Sequence, residues 1–474
     1  MDLIVPTGFL VIVGALVVLM LIWKDSAGSR RVDELWREAA DRLGAKFTPT
    51  QFVLNRAIEG TYEDMATHVR PYSYSEGEEW HRGTGFLVSS HRVPPSLVLR
   101  PQKSFVEDVK FAFSPADVEI GAEEFDASVY TRGERTYLLA VLDHETRELL
   151  LDGFKSGRLD QIKDGALVCK RREEVQDPSE IVERVRWLQN LAKRLLDPGD
   201  ETPKRLAANA ASDPSAGLRL ANLTTLQREF PGTRTATGAS RVALADPAPE
   251  IRLAGAAVLR QEGFETFSKL ATARDGVDPK IRVEALHHLV KRAPPEAVIP
   301  VLDVLLHDAT WEVCGEAVAA CVTLQHAGAV PALLARLDRD GAPEAAVVAA
   351  ALGDLGDSRA EPALLTILRS PDLDVAAAAT EALGRVGSVA AVQPILDRIA
   401  GMPLRLKAEA RAAIEAIQVR LTGADSGQLA LSDAAHPSGT LALADESKGG
   451  QVSLSADEER GAGRERPRIA EIEP

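Results

Sequence analysis

The chain has 474 residues, a formal net charge of −15 and three cysteines. This length exceeds one ordinary compact domain and predicts two or three folding units. The acidic balance argues against a general nucleic-acid binder, because phosphate contacts need a basic surface, so we expect no nucleic-acid partner. Three cysteines are too few for a disulfide framework and favour a reducing compartment.

An apolar run from Leu3 to Trp23 is the first element in chain order. As a helix it would be about 31 Å long, enough to cross a hydrocarbon core of about 30 Å. Asp2 precedes the run and Lys24 follows it, whereas a cleaved signal peptide has its basic residues first. We therefore predict an uncleaved transmembrane anchor over residues 1–24, with the lipid bilayer as its partner. The positive-inside rule then predicts a single-pass protein with a cytoplasmic body.

Residues 31–196 show a mixed pattern that predicts a small α+β domain. Apolar residues at helical spacing follow the anchor, and strand-like runs begin at Gly85, Pro95, Phe125 and Gly165. Asp177 is a candidate N-cap, and Pro178 suits the first turn of the helix that closes the domain.

The string "DVEIGAEEFDASVYTRGERTYLLAVLDHETRELLL", from Asp117 to Leu151, resembles a bacterial family of anchored domains with no assigned function. In that pattern an "IG..EFD" turn precedes a strand, and a helix ending in leucines follows. The resemblance implies an anchored architecture at a bacterial inner membrane and implies no activity.

Three clusters in the α+β domain have acid, base or ligand potential: His81 near Glu78 and Glu79, His91, and the run from Asp143 to Glu145. Adjacency in sequence does not bring such groups together in space, so solvated surface groups are the favoured interpretation. Asp143 to Glu145 suits a helix start, where acidic groups meet the positive end of the helix dipole. The sequence therefore predicts no catalytic, cofactor-binding or metal-binding residue and no cofactor.

A proline recurs at intervals of 31, 31 and 32 residues, at Pro300, Pro331, Pro362 and Pro394. A fixed period of about 20 to 50 residues is typical of stacked supersecondary units, because one short unit cannot bury its apolar face alone. The unit is clearest in "AEPALLTILRS" from Ala360 and "DVAAAATEALGRVG" from Asp374. Their three-to-four spacing of apolar residues predicts two antiparallel helices per unit.

These units resemble bacterial HEAT-like repeats in the strings "LGDLGDSRAEPALL" from Leu352 and "LGRVGSVAAVQPIL" from Leu383. The resemblance covers residues 201–421 in six or seven units and implies an α-solenoid that binds a protein partner. Some HEAT-like proteins are iron hydroxylases that use His-Glu pairs, and no such pair occurs in this region. Others resemble bilin lyases, for which the sequence offers no chemical marker.

Arginines recur near the start of the second helix of three units, at Arg219, Arg252 and Arg282, with an aspartate in the turn before each. In HEAT-like proteins such rows form ladders between neighbouring units, and a structural ladder is the favoured interpretation here. Later units carry Cys314 or Ala376 at this place. A surface that changes from charged to apolar suits a partner groove, so the candidate partner surface comprises Arg219, Arg252, Arg282 and Ala376.

Residues 422–474 are rich in glycine, serine and aspartate and predict a disordered tail. Within it "GQLAL", "GTLAL" and "GQVSL" recur from Gly427, Gly439 and Gly450. They are either short strand-forming recognition motifs or flexible filler, and filler is favoured.

We therefore expect a transmembrane helix, a small α+β domain, an α-solenoid of HEAT-like repeats and a disordered tail. The favoured function is a membrane-tethered, non-enzymatic scaffold that binds a protein partner through the repeats. Two alternatives stay open. One is an enzyme or ligand sensor whose site lies in residues 31–196, with the repeats as receptor, and the other is a bilin-lyase-like activity.

Overall fold

A computed structural model describes residues 29–49, 56–76, 79–102, 117–337, 344–399, 404–422, 429–432 and 440–443. The predicted anchor, Leu3 to Trp23, lies outside these residues. Among the described residues, no helix is long and apolar enough to cross a membrane. The chain divides into two compact units, one up to Thr266 and one from Phe267 onward.

The first unit contains an antiparallel sheet of eight strands in the order β1-β2-β3-β4-β8-β7-β5-β6. Its longest strands, β3 and β4, form a hairpin and pair along their whole length. The strands are β1 (Lys46–Thr48), β2 (Ala57–Tyr62), β3 (Met65–Glu76), β4 (Glu79–Ser89), β5 (Val98–Pro101), β6 (Val129–Arg132), β7 (Gln161–Lys163) and β8 (Ala166–Arg171).

Five helices accompany this sheet and confirm the α+β class of the region. The first, α1, covers residues 29–43 and buries Trp36, whose indole Nε1 donates to the carbonyl of Val175 at 2.9 Å. Asp177 caps α5 through the backbone N–H of Ser179, as predicted. The others are α2 (Glu123–Ser128), α3 (Arg135–Val141), α4 (His144–Lys155) and α5 (Pro178–Arg194).

Three of the four predicted strand runs are confirmed, and the one from Phe125 is wrong in its first half. Residues 125–128 belong to α2, and β6 begins only at Val129. The cause is a local carboxylate. Asp126 accepts hydrogen bonds from the backbone N–H groups of Ile120, Gly121 and Ala122, which ties the preceding turn to the helix. Gly121 has a φ of +103°, a conformation that favours glycine.

Seven helix pairs follow within the described residues and confirm the predicted helical repeats. The four recurring prolines all lie in the first helix of their pair. The pairs are α6 (Thr202–Ser212) with α7 (Ala216–Glu229), α8 (Arg234–Ala243) with α9 (Pro249–Val258), α10 (Phe264–Thr272) with α11 (Pro279–Arg292), α12 (Pro295–Leu305) with α13 (Trp311–Thr323), α14 (Val330–Leu337) with α15 (Ala345–Leu355), α16 (Glu361–Ile367) with α17 (Leu373–Val386), and α18 (Val389–Ile399) with α19 (Leu404–Thr422).

In the second unit, the second helices α11, α13, α15, α17 and α19 pack one against the next. Small residues set this spacing. A Cβ on Gly353 of α15 would lie 2.7 Å from the Cα of Ala382 on α17, and one on Gly384 would lie 3.0 Å from the Cα of Ala413 on α19. Small residues therefore let the second helices stack closely, with glycine at the tightest points.

In the first unit, the sheet domain and the first repeats share one hydrophobic core. Leu138, Leu139 and Leu142 pack in the same cluster as Leu206 and Leu218. The helix α3 contacts both α6 and α7. The pair α3 and α4 therefore covers the end of the repeat stack and excludes water from its apolar side.

Two of the three repeated tail motifs form structure. The strands β9 (Leu429–Ser432) and β10 (Thr440–Leu443) pair antiparallel, with Leu429 opposite Leu443. These strands favour the interpretation of strand-forming motifs over filler at these two copies, and the third copy lies outside the described residues.

Candidate functional site

The predicted arginine row occupies one equivalent position in the helix pairs. Arg219, Arg252 and Arg282 are each the fourth residue of their second helix, in α7, α9 and α11. From this position a side chain reaches back over the turn between the two helices of its own pair. The shared position explains why the three guanidinium groups have related partners.

Arg219 links two consecutive helix pairs. Its Nε and Nη2 donate to the two carboxylate oxygens of Asp246 at 2.8 and 2.9 Å, and its Nη1 donates to the carbonyl of Asp213 at 2.9 Å. Asp246 also accepts from the backbone N–H of Ala248 at 2.8 Å. The hydrogen bond from Arg219 lowers the pKa of the Asp246 carboxyl below its ordinary value. The carboxylate is therefore ionised and held in a two-pronged ion pair.

Arg282 makes the corresponding link in the second unit. Its two terminal nitrogens bind the carboxylate of Asp308, and its Nε donates to the carbonyl of Ala271 at 3.1 Å. Only 4% of Arg282 and 7% of Asp308 are exposed. Burial alone would raise the pKa of Asp308, but hydrogen bonds from Arg282 and the backbone of Thr310 outweigh it and lower the pKa. The predicted ladder is thus confirmed at Arg219 and Arg282, each paired with the aspartate of the following turn.

Arg252 and Ala376 complete the four candidate residues. Arg252 donates from Nη1 to the carbonyls of Asp246 and Pro247, both at 2.8 Å, and so closes its own turn. Ala376 is fully buried in α17. Arg282 and Ala376 thus lie beneath the surface of the repeats, where they can influence a partner only by positioning the side chains above them.

A fourth arginine joins the ladder from within the sheet domain. Arg147, the fourth residue of α4, donates to both carboxylate oxygens of Asp213 at 2.9 and 3.2 Å and to the carbonyl of Leu142 at 2.8 Å. Both partners of this ion pair are buried. This ion pair was not predicted, although Asp143 precedes Arg147 by four residues, the same spacing that separates Asp278 from Arg282. Through this ion pair, α4 makes the link that the second helix of a preceding repeat would make.

Later pairs use arginines from the first helix instead. Arg336 of α14 donates to the carbonyls of Leu306 and Asp308 at 3.2 and 3.1 Å. Arg398 of α18 donates to the carbonyls of Leu368 and Ser370. Each guanidinium reaches the turn of the preceding pair and satisfies carbonyls at the end of its first helix. The link between pairs thus changes from a buried ion pair to a carbonyl cap at the turn that contains Asp308.

The helices α13, α15 and α17 present a side to solvent that we call the exposed face, defined by Glu312, Ala319, Val347, Asp354, Leu373 and Glu381. Aliphatic side chains are prominent in it, since Val347 is 48% and Leu373 is 44% exposed. Asp354 and Glu381 both pair with Arg385, the first at 2.8 Å. An aliphatic and acidic surface on packed helices is suited to a protein segment with apolar and basic residues.

The acid and base clusters of the sheet domain do not converge. His81 lies 3.8 Å from Glu79 on the hairpin, and exposed His91 follows β4. Asp143 caps α4 through the backbone N–H of Thr146 at 2.8 Å, as predicted, and Glu145 pairs with Arg194 at 2.5 Å. Glu78 lies outside the described residues. Among those that are described, no group of three or more histidine, cysteine or acidic side chains could hold a metal ion.

The cysteines of the repeats are buried, and two repeat histidines pair with acidic side chains. Cys314 and Cys321 are buried in α13, and burial raises the pKa of the Cys321 thiol to about 12. His287 lies 2.9 Å from Glu316 on the neighbouring second helix, and His326 lies 2.9 Å from Asp303. These contacts tie adjacent helices together.

Comparison with known proteins adds one match. The HEAT repeats family matches residues 342–416, which span α15 to most of α19. No curated protein matches the chain. The matched segment has the alanine-rich helices and carries part of the exposed face. The presence of HEAT repeats is consistent with a protein-interaction scaffold.

Proposed function

We propose that this protein is a membrane-tethered, non-enzymatic scaffold that binds a protein partner on the exposed face of α13, α15 and α17. The observation that carries the proposal is the combination of aliphatic and acidic side chains on helices that are already packed. A preformed surface lowers the ordering cost of association, because its side chains and backbone are fixed before the partner arrives. Within the second unit, Arg282 and Ala376 lie beneath the surface of the repeats and support the packing of the helices that carry this face.

A pair of matched substitutions tests partner binding. Val347 lies on the exposed face, whereas Val304 lies on a first helix and is similarly exposed, 43% against 48%. We expect Val347→Asp to remove the crosslinked protein neighbour of the full chain in its native cells, because a charge enters the apolar part of the contact. Val304→Asp should leave it in place. Equal crosslinking of both variants, or equal loss, contradicts the proposed surface.

The tether rests on the apolar run from Leu3 to Trp23, which offers roughly 4 to 8 kcal/mol of insertion free energy. Two arginines near its centre, Leu10→Arg and Val17→Arg, cost about 2.5 to 3.5 kcal/mol each. We expect this double variant to leave the membrane fraction, while Ser73→Arg with Ser75→Arg, which adds the same charge on β3, stays there. A double variant that remains in the membrane contradicts the tether.

The native thiols are poor probes of membrane orientation. All three cysteines are buried, and burial raises the pKa of the Cys169 thiol. Ser75 is exposed on β3, so Ser75→Cys supplies an accessible thiol. With a cytoplasmic body we expect a membrane-impermeant reagent to label this cysteine only after the cells are permeabilised. Labelling in intact cells contradicts the orientation.

A further inference from the structure

A groove of about 440 Å³ lies in the first unit, at the end of α1 and beside α5. This volume falls within the range of about 300 to 1,000 Å³ that is typical of small-molecule sites. Three cationic and two amide side chains surround the groove, together with one aromatic ring. Its lining residues are Arg42, Leu43, Gly44, Tyr62, Arg186, Gln189, Asn190 and Lys193.

The helix α5 supplies half of this lining from one stripe. Arg186, Gln189, Asn190 and Lys193 follow at spacings of three, one and three residues, so they share one side of the helix. The opposite side, with Val185, Leu188 and Ala192, is buried. Because that burial holds the helix in place, the four polar side chains project from a rigid support.

Acidic residues compensate two of the three cations. The carboxylate of Glu38 pairs with Arg42, and that of Glu63 pairs with Lys193 at 2.7 Å. Arg186 differs from both. Its Nη2 donates only to the carbonyl of Arg42, at a long 3.4 Å, and within the described part of the chain it has no acidic partner. The groove therefore keeps one uncompensated guanidinium group.

The amide and aromatic groups add donors and an apolar wall. Gln189 is held by a hydrogen bond to the hydroxyl of Thr67 at 3.1 Å. The amide of Asn190 is exposed and has no partner within the described residues. The ammonium of Lys193 lies 4.9 Å from the ring centre of Tyr62, so the ring bounds the groove beside a cation. Hydrogen-bond donors thus reach the groove from α1 and α5, and the ring of Tyr62 on β2 forms an apolar wall.

We propose that this groove binds the phosphate group of a phosphate ester. Arg186 offers a planar fork of N–H donors that matches a phosphate, with Asn190 and Lys193 beside it. A tetrahedral oxyanion accepts from several directions at once, whereas a single fork already satisfies the two oxygens of a carboxylate. The remaining volume beside Leu43 and Tyr62 accommodates the organic part of the ester. This ligand site goes beyond the scaffold function, since it lies in the sheet domain.

The competing interpretation is structural. Cationic side chains stabilise the C-terminal end of a helix by meeting its free carbonyls, and Arg186 contacts such a carbonyl at the end of α1. A purely capping arginine affects stability alone. A binding measurement therefore separates the two interpretations, because it reports on a ligand and the cap does not.

The test is calorimetric titration of the full chain with glycerol phosphate and, separately, with a short-chain phosphatidic acid below its micelle concentration. Both carry the same phosphomonoester, and they differ in the acyl chains. We expect saturable binding that weakens about tenfold or more in Arg186→Gln, because a charge-assisted fork is lost. Arg228→Gln is the matched control. It removes the same charge from an exposed arginine that pairs with Glu229 on α7, and neither residue lines the groove.

The outcomes are distinct. Tighter binding of the phosphatidic acid, still dependent on Arg186, assigns the phosphate to a lipid headgroup, and equal binding assigns it to a soluble ester. The absence of saturable binding to the wild-type chain overturns the proposal. Equal affinities of the Arg186→Gln and Arg228→Gln chains overturn it as well. Loss of the protein partner in Val347→Asp has no bearing on this result, so failure of the scaffold function and failure of the phosphate site are distinguishable.

Discussion

The early helix pairs, α6 to α11, and the later pairs, α14 to α19, solve the same packing problem with different chemistry. In two of the three early pairs a guanidinium group crosses to the aspartate of the next turn, as Arg219 does to Asp246 and Arg282 does to Asp308. In the later pairs, glycine and alanine let the helices approach closely. Gly353 of α15, for example, packs directly against Ala382 of α17. An ion pair fixes one register through directional hydrogen bonds, whereas small apolar residues fix the distance between helices.

The difference has an energetic consequence. A buried ion pair is expensive to desolvate and adds little net stability, yet removal of one partner leaves an unpaired buried charge. A carbonyl cap or an alanine contact has no such liability. We therefore expect the early pairs to be sensitive to single charge deletions and the later pairs to be sensitive to added volume.

The largest expected effect is that of Arg282→Met, which leaves Asp308 buried without its guanidinium partner. Removal of one partner of a buried ion pair costs about 3 to 5 kcal/mol. Urea unfolding of the full chain, followed in the transition of the second unit, measures this loss. A decrease below about 1 kcal/mol would show that the ion pair is well solvated, and the contrast between early and late pairs would then fail.

The effect of Asp246→Asn is next in size and depends on pH. The pKa of Asp246 is lower in the folded chain than its unfolded value of about 3.9, so its stabilisation is present above that pH and is lost as the pH falls through the folded pKa. We expect about 1.5 to 3 kcal/mol of destabilisation at neutral pH, because hydrogen bonds to a charged group are lost. As the pH falls through the acid range, the free energy of unfolding of Asp246→Asn should converge on that of the wild type.

The control for this series is Asp354→Asn, which removes a carboxylate that is exposed on α15. An exposed ion pair contributes about 0 to 1 kcal/mol, so this variant should stay close to the wild type at every pH. If both variants lose equal stability at neutral pH, then burial does not increase the contribution of the Asp246 ion pair to stability.

In the later pairs, Gly353→Val should destabilise the protein by about 1 to 3 kcal/mol through overpacking. The added Cβ would meet the Ala382 backbone at 2.7 Å, where no flexible side chain can move aside. Ala319→Val adds two carbons on the exposed face, against three for Gly353→Val, and should change stability by less than about 0.5 kcal/mol. Thermal unfolding of both variants measures the difference, and equal melting temperatures would contradict close packing at Gly353.

The smallest expected effect is that of Arg398→Met, which makes the same chemical change as Arg282→Met in a later pair. Within the described residues Arg398 donates to two carbonyls and to no carboxylate, so its loss should cost about 0.5 to 1.5 kcal/mol. The comparison of the two variants under identical conditions sharpens the contrast. A larger loss for Arg398→Met than for Arg282→Met would reverse it.

The repeats were predictable because their signal is local. The proline of the first helix recurs at a fixed interval, each unit shows the three-to-four spacing of apolar residues, and each unit contacts mainly its neighbours. The sheet was predicted less well. The strand β3 has Pro71 in its middle and alternates tyrosine with serine, so it lacks the continuous apolar run that revealed β4 and β8.

The arginine row and the groove differ in the same way. The rows of Arg219 and Arg282 were visible as a repeated position, but which face of the helix they occupy depends on packing, and the structure places Arg282 in the interior. The groove brings together Arg42, Tyr62 and Arg186, which are far apart in sequence. No spacing rule joins them, because only the pairing of the sheet and the docking of α5 create their proximity.

Crosslinking of the full chain in its native cells, compared with a chain that ends at Thr266, tests the scaffold function most directly. The shorter chain keeps the first compact unit and lacks the exposed face of α13, α15 and α17. We predict a specific protein neighbour on the full chain that is absent from the shorter one. Recovery of the same neighbour with both chains would place the binding surface elsewhere and contradict the account.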